Sequence, residues 1–216
     1  MGRRSLPKID SQVDLAQHLM SLEQVPKPFS AAEFFGRAAP LEIEVGSGKG
    51  LFLLSASEQF PDRNFLGNEV SAKYSRYIAY RLAKHDRTNA RVIHGDGLAL
   101  FAGYLGDQSA DAVHVYFPDP WWKARHRKRR VMQPSFVRDI HRVLKPSGVL
   151  HFWTDVEEYF QTTCELITAT VPLSGPHSVP EPVALSDMDF RTHFERRMRR
   201  NDQPVFRSQF VKLPPL

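Results

Sequence analysis

The sequence predicts an α/β fold in which a mostly parallel sheet carries helices on both faces. Apolar segments typical of strands alternate with helical segments from residue 41 to residue 170. Acidic residues follow several of the predicted strands, as in parallel sheets that bind ligands at their carboxyl edge. With 216 residues, of which 42% are hydrophobic and 25% charged, the chain is long enough for one domain with a substantial core.

The predicted elements follow one another as repeated strand–helix units. Strands are predicted where Val, Ile, Leu and Phe cluster, at 41–45, 64–70, 90–96, 111–117 and 149–155. Each leads into a helical segment with apolar residues three or four positions apart, at 51–60, 71–86, around 98–101, 134–144 and 157–170. Pro61 ends the first helix, and Ser71 is a candidate N-cap of the second.

Both ends of the chain depart from this alternation. Residues 1–38 are punctuated by prolines and are expected to form an N-terminal arm or cap with one short helix, whereas 39–216 are expected to form the main domain. Residues 172–190 are rich in proline and serine and are predicted to be a long connection. A basic stretch at 191–200 and a late strand within 204–213 follow.

Composition restricts the class of protein. A formal charge of +5 and a pI near 9.4 favour polyanionic partners. Cys164 is the single cysteine, so an intramolecular disulfide or a cysteine-based zinc site is excluded, and the scattered histidines predict no metal. No apolar run suits a secretory signal or a membrane span. We therefore expect a cytoplasmic protein without membrane contacts, and the sequence leaves monomer and homodimer open.

The segment "EVGSGKG", residues 44–50, joins the first strand to the first helix. Its glycines permit a close approach of the backbone to a ligand. Lys49 is not followed by Ser or Thr, and Leu51 occupies the third glycine position of a dinucleotide fingerprint, so both phosphate-binding motifs are incomplete. Glu44 would repel phosphate and suits a cationic ligand, which favours S-adenosylmethionine with its ammonium and sulfonium groups.

Further acids are predicted at the same edge of the sheet. Glu69 is placed to bind ribose hydroxyls and Asp96 the adenine amino group, while Asp119 and Asp155 end the next two strands. A single acid in such a loop is more often a helix cap or a turn former. Five at successive strand ends, together with the glycine loop, indicate a binding site.

The segment "FPDPWWKARHRKRR", residues 117–130, combines a carboxylate, two tryptophans and six Lys and Arg side chains. Prolines on both sides of Asp119 stiffen its backbone. Trp121 and Trp122 could stack on bases, although core packing is expected for at least one of them. The cations favour contacts with RNA phosphates, which position a nucleic acid without reading its sequence.

These motifs, with "NEV" (68–70), "GD" (95–96), "FWTD" (152–155) and "THFERR" (192–197), resemble the bacterial tRNA (guanine(46)-N7)-methyltransferase family over about residues 40–210. The resemblance implies a class I methyltransferase fold with a Rossmann-like sheet. It also implies transfer of the methyl group of S-adenosylmethionine to N7 of guanine 46 in the tRNA variable loop.

The resemblance assigns roles to individual residues. Asp119 would be catalytic, and the cofactor would be bound by Glu44, Gly46, Gly48, Glu69, Asp96 and Asp119. The substrate nucleotide would contact Lys123, Asp155, Thr192, His193, Phe194 and Glu195. RNA would be bound by Arg125, His126, Arg127, Lys128, Arg129 and Arg130. The chain departs from the family pattern at Asn68, Trp122 and Ala124, none of which removes a charge that the chemistry needs.

Two alternatives stay open at this point. The "DPWW" segment is similar to the Asp-Pro-Pro-Tyr motif of methyltransferases that act on exocyclic amino nitrogens. A non-catalytic RNA-binding module is the second alternative, although it would gain nothing from acids beside a phosphate site. The second basic group, within 196–200, is equally compatible with a tRNA contact and with an exposed helix face.

Overall fold

The computed structural model describes residues 6–181, 183, 186 and 188–214, apart from the side chains of Ala124 and Arg127. The strands are β1 (Leu19–Ser21), β2 (Leu41–Val45), β3 (Asn64–Glu69), β4 (Ala90–His94), β5 (Ala110–Tyr116), β6 (Leu144–Thr154), β7 (Leu173–Ser178) and β8 (Phe206–Lys212). The α-helices are α1 (Ala31–Phe35), α2 (Leu51–Gln59), α3 (Ala72–Lys84), α4 (Gly97–Gly103), α5 (Pro134–Val143), α6 (Glu157–Thr170) and α7 (His193–Arg200).

All eight strands form one sheet in the order β1-β4-β3-β2-β5-β6-β8-β7. Pairings from β1 to β6 are parallel, whereas β8 is antiparallel to both β6 and β7. The predicted α/β class and mostly parallel sheet are confirmed. Because β2 and β5 are adjacent but far apart in sequence, the strand order reverses between them, and parallel sheets bind ligands at such a switch point.

Helices cover both faces, as predicted. On one face α4, α5 and α6 bury residues such as Phe101, Phe136 and Ile167, and the Phe101 and Phe136 rings meet edge to face at 5.1 Å. On the other face α2 and α3 bury a smaller cluster that includes Phe52 and Ile78. No helix in the described ranges is long and apolar enough to cross a membrane.

The structure corrects the prediction for residues 172–190. Leu173–Ser178 is not part of a connection but forms β7 at the sheet edge, with a register shift between Ser174 and His177. Gly175 has a φ of 138° there, and a Cβ would lie 2.8 Å from the backbone oxygen of Gln209. Pairing with β8 therefore determines this strand, whose own Gly, Pro and Ser content does not favour one.

The N-terminal segment contributes to the sheet and the core. β1 pairs in parallel with β4, and Leu22, Val25 and the three phenylalanines Phe29, Phe34 and Phe35 join the larger core cluster. A three-residue strand carries too little pattern to be predicted. The fifth predicted strand, at 149–155, also begins earlier than expected, because β6 extends back to Leu144 through "KPSG".

Candidate active site

The loop between β2 and α2 is shaped by three glycines. Gly46, Gly48 and Gly50 have φ values of 77°, 54° and 68°, in the left-handed region that other residues rarely adopt. The amides of Gly46 and Ser47 both donate to the carbonyl oxygen of Asn68 at 2.9 Å, which ties the loop to the end of β3. A Cβ at Gly46 or Gly48 would meet nothing within 4 Å, so the loop surface is open to a ligand.

Glu44 is a buried acid at the base of this loop. Its side chain is almost entirely buried, and Oε2 has no hydrogen-bond partner within the described residues, nor has the buried hydroxyl of Ser47. Burial raises the pKa of Glu44 to about 8, and the charge of Glu69 contributes. A buried carboxyl oxygen without a partner is costly unless a ligand completes it.

Glu69 and Asp96 are anchored at the ends of β3 and β4. The Glu69 carboxylate accepts hydrogen bonds from the amides of Gly48 and Ser71, both at 2.8 Å, and burial raises its pKa. Asp96 is the N-cap of α4 and accepts from the Leu98 amide at 2.8 Å. Asp96 is therefore a helix cap as well as a candidate cofactor residue. Ser71 occupies the N-cap position of α3, as predicted, but its side chain makes no capping hydrogen bond.

These residues fit S-adenosylmethionine. Glu44 Oε2, which has no partner within the described residues, is available to accept a hydrogen bond from the ammonium group of the cofactor. The glycine loop leaves room for a close approach of the ligand. Because S-adenosylmethionine carries no phosphate, the loop needs neither a phosphate-binding lysine nor a complete anion-binding motif. In the described part of the chain no group of three or more His, Cys, Asp or Glu side chains is arranged to hold a metal ion.

The backbone after β5 makes a sharp, strained turn. Phe117 has a φ of 50° and donates its amide to the carbonyl oxygen of Trp153 at 2.8 Å, so the ends of β5 and β6 are joined. Asp119 follows with an exposed side chain, and Asp155, after β6, is half-buried. Unusual backbone angles at a strand end are typical of functional sites.

The two tryptophans have different environments. Trp121 is partly buried, meets His126 edge to face at 5.8 Å and lies under the Arg129 guanidinium at 5.0 Å. Trp122 is 62% exposed. Neither indole belongs to a buried core cluster, so the core packing expected for at least one of them is wrong: Trp121 packs within its own segment, and Trp122 presents its ring to solvent.

The basic run forms a 3₁₀ helix over Ala124–Arg129. Four of its side chains are exposed: Lys123, Arg125, Lys128 and Arg129. His126 and Arg130 are half-buried, and the side chain of Arg127, also predicted to bind RNA, lies outside the described atoms. Arg130 donates to the carbonyl oxygen of Pro120 at 2.7 Å and lies over the Tyr159 ring at 4.6 Å. The run is therefore attached to the turn that carries Asp119.

Residues Thr192 to Glu195 begin α7. Thr192 caps the helix by accepting from the Glu195 amide at 2.9 Å, and Glu195 Oε2 accepts from the Arg191 amide at 2.7 Å. The Phe194 ring lies 4.9 Å from that of Phe117, so the segment contacts the end of β5. Glu195 itself is fully buried, which the sequence did not indicate.

A buried ion-pair network accounts for the position of Glu195. Its Oε1 lies 3.3 Å from Arg207 on β8 and 3.6 Å from Arg199, and Glu181 pairs with both arginines at 3.0 and 2.9 Å. Arg207 also lies over the Trp153 ring at 5.1 Å. The network fastens residues 181 and 195 to the sheet. Sequence reasoning missed Glu181 and Arg207 because they come from separate segments.

Arg81 was also missed, and it joins two parts of the site. Its guanidinium donates to the carbonyl oxygen of Lys49 in the glycine loop at 2.8 Å and lies 3.4 Å from Nε2 of His193. Through Arg81, Phe117 and Phe194 the structure brings together the three groups that the sequence predicted: the glycine loop, the segment after β5, and Thr192–Glu195.

Residues 38–208 match the family described as "Putative methyltransferase". The chain is 46% identical to a tRNA (guanine-N(7)-)-methyltransferase of Rhodopirellula baltica, over 98% of this chain and 80% of that protein. It is 34% identical to the enzyme of the same description from Mannheimia succiniciproducens, over 88% and 77%. The chain belongs to the tRNA (guanine-N7-)-methyltransferase family. The resemblance stated from the motifs is thereby confirmed.

Solved structures agree on the fold. The 16S rRNA methyltransferase KamB superposes with a TM-score of 0.62 at 17% identity, over 86% of this chain and 95% of that one. A SAM-dependent methyltransferase from Aquifex aeolicus gives 0.57 at 14% identity, over 84% and 87%. At this identity the likeness shows the class I methyltransferase fold, as predicted. With the family membership, it confirms that the chain is a methyltransferase whose cofactor is S-adenosylmethionine.

Proposed function

We propose that this protein transfers the methyl group of S-adenosylmethionine to N7 of guanine 46 in the variable loop of tRNA, in the cytoplasm. The observation that carries the proposal is the joining of the glycine loop, the turn with Asp119 and the start of α7 through Arg81 and the Phe117–Phe194 contact. The activity of its relatives, tRNA (guanine-N(7)-)-methyltransferases, supports the choice of atom and of tRNA.

The proposal divides the site among three tasks. The cofactor is bound by Glu44, Gly46, Gly48, Glu69, Asp96 and Asp119. The target nucleotide is held by Lys123, Asp155 and the segment Thr192, His193, Phe194 and Glu195. RNA phosphates are bound by Arg125, His126, Arg127, Lys128, Arg129 and Arg130. Residues 1–38 act as a cap on the main domain of residues 39–216, which agrees with the burial of Leu22 and Phe29.

Among the residues proposed to hold the target nucleotide, Glu195 is buried and acts indirectly. Its carboxylate is engaged by Arg207 and by the Arg191 amide, so it holds the backbone of the segment in place. Thr192 caps the same helix, and the half-buried side chains of His193 and Phe194 are proposed to contact the nucleotide. In this conformation Glu195 contributes to substrate binding by positioning its neighbours.

Asp119 is proposed to act through its charge and its hydrogen-bond acceptors. Guanine N7 has an in-plane lone pair and no proton at neutral pH, so no base is needed before attack. The bound cofactor supplies an electrophilic methyl group, and rate acceleration depends mainly on alignment. Since guanine becomes positive as it is methylated, the exposed Asp119 carboxylate complements that charge and orients the base.

The test is incubation of the protein with S-adenosylmethionine and unmodified tRNA transcripts, followed by digestion and mass spectrometry of the nucleosides. We expect 7-methylguanosine, which maps to position 46, and none from a transcript in which guanine 46 is replaced by adenine. A methylated exocyclic nitrogen would refute the atom, another position would refute the site, and no methylated nucleoside despite cofactor and tRNA binding would refute the reaction.

A further inference from the structure

The outer face of α3 has an unusual composition. Its 13 residues include four cations and no acid, and they hold three of the six tyrosines of the chain. Ser75, Ile78, Ala79 and Leu82 turn inward and are buried. The opposite face carries Lys73, Arg76, Tyr77, Tyr80 and Lys84. A helix that only meets water usually mixes both signs of charge.

The cations and rings of this face alternate in two rows along the helix. Positions four apart are neighbours on a helix surface, so one row reads Lys73, Tyr77, Arg81 and the other reads Arg76, Tyr80, Lys84. The Arg81 guanidinium lies 5.8 Å from the Tyr77 centroid, and Lys84 Nζ lies 5.9 Å from that of Tyr80. Within the described residues no carboxylate forms an ion pair with Lys73, Arg76 or Lys84.

This face continues into α7 and the active site. Arg81 lies within 3.4 Å of His193 at the start of α7, and α7 carries Arg197 and Arg200 as exposed cations. Burial lowers the pKa of Arg81, and the nearby charge of Arg196 adds to this effect. Like charges held together are unfavourable in the free protein, and a polyanionic partner would relieve their repulsion.

The buried side of α3 fixes the helix beside the cofactor loop. Gly50 lies against Ile78, because a Cβ at Gly50 would be 2.9 Å from its side chain. At 1.5 Å per residue, Lys73 lies about 7 Å along the helix axis from Ile78. α3 begins directly after β3 ends, so Lys73 and Arg76, in its first two turns, lie near the carboxyl edge of the sheet, where the cofactor is proposed to bind.

We propose that the outer face of α3, together with the exposed arginines of α7, is a second binding surface for the tRNA phosphate backbone, separate from the basic run after β5. The proposal rests on the tRNA methyltransferase function proposed above. Lys and Arg interleaved with tyrosine rings suit phosphates and unpaired bases. The cores of protein–protein interfaces are depleted in charged residues, whereas α3 carries four cations and no acid, which favours a polyanion over a protein partner.

The test compares K73Q/R76Q/K84Q with the control R37Q/R138Q/K145Q, which removes the same charge elsewhere. Arg37 lies shortly before β2 and Lys145 near the start of β6, both at the amino edge of the sheet. Arg138 is exposed on α5, which covers the opposite face. Gln is a good helix former, so α3 is expected to persist. Arg81 is left intact because it supports the glycine loop.

For both variants we would measure the Kd for full-length tRNA from 0.05 to 0.3 M KCl, the Kd for S-adenosylmethionine, and the melting temperature. The α3 variant is expected to bind tRNA about tenfold more weakly at 0.1 M salt, with a slope of log K against log salt smaller by about two. Its cofactor affinity and its kcat at saturating tRNA are expected to match those of the control.

Equal tRNA affinity and salt slope in the two variants would overturn the proposal. So would loss of a wild-type dimer in sedimentation without a change in the tRNA slope, which would identify a protein interface. Wild-type assays for 7-methylguanosine run in parallel. If the wild-type protein forms no 7-methylguanosine while the α3 variant still shows a smaller salt slope for tRNA binding, the proposed methylation is refuted and the proposed RNA-binding surface is supported.

Discussion

The acids at the two halves of the carboxyl edge are held in different ways. Glu44 and Glu69, after β2 and β3, are buried, and Glu69 accepts two backbone hydrogen bonds. Asp119 and Asp155, after β5 and β6, are exposed and half-buried respectively, and neither forms a hydrogen bond or an ion pair with another described residue through its side chain. The cofactor half is therefore preorganised, whereas the RNA half leaves its carboxylates available to a substrate. The following predictions test this contrast.

The largest effect is expected at Asp119. Asp119→Asn keeps the size of the side chain but removes the charge and replaces one acceptor oxygen with an NH₂ donor, and we expect kcat to fall by about 10²–10³, as for loss of one electrostatic contact in a transition state. The Kd for S-adenosylmethionine is expected to change little, because the buried acids carry most of that affinity. Single-turnover methylation measures this, and a kcat near that of the wild type would show that the charge is not used.

The buried network beneath α7 is expected to affect stability. Glu195→Gln leaves Arg207, which is almost entirely buried, with one partner fewer, and the free energy of unfolding is expected to fall by about 3 kcal/mol. Urea unfolding measures it. Glu165→Gln, an exposed change on α6, serves as the control and is expected to be neutral. Equal stability of the two variants would contradict the role given to Glu195.

Titration of Glu44 is expected to control cofactor affinity. Because burial raises its pKa to about 8, the free protein must lose a proton before the carboxylate can pair with the ammonium of the cofactor. The Kd is expected to fall by up to about tenfold per pH unit from pH 6 to 8 and then level. Calorimetry measures it. Glu44→Gln is expected to bind weakly without this dependence, and a pH-independent wild-type Kd would refute the linkage.

The same group affects stability with a definite sign. Between its ordinary value of 4.5 and about 8, the folded protein holds a proton on Glu44 that the unfolded chain has lost. The contribution of Glu44 to the free energy of unfolding therefore decreases as pH rises through this window, by up to about 1.4 kcal/mol per unit, and below about pH 6.5 it is opposed by His114 and His151, whose pKa values burial lowers. In Glu44→Gln this contribution is expected to disappear, which denaturant unfolding from pH 5 to 8 would show.

The smallest effect is expected at the tryptophans. Trp122→Ala removes an exposed ring and is expected to raise the KM for tRNA about fivefold, near the lower end of base stacking, without lowering the melting temperature. Trp121→Ala removes a ring that packs on His126 and Arg129, so it is expected to lower the melting temperature as well. A KM unchanged in Trp122→Ala would exclude stacking by that ring.

Much of the site was predictable because its signals are local. Glu44, Gly46 and Gly48 lie within five residues, and Asp119 lies between two prolines, so spacing alone placed them at turns of the sheet. The contacts of Arg81 with Lys49 and His193 join positions 32 and 112 residues apart. No local pattern marks such a residue, because its role depends on which segments the fold brings together.

Local patterns were enough to predict the parallel α/β sheet, the glycine loop, the acids at its carboxyl edge and the family, since strand and turn preferences act over a few residues. Contacts between distant segments are the reason that β7 forms in a proline-rich segment, that Glu195 is buried while Trp122 is exposed, and that α3 presents its cations beside α7. These outcomes depend on edge pairing, burial and ion pairs between distant segments, whose energies are absent until the chain has folded.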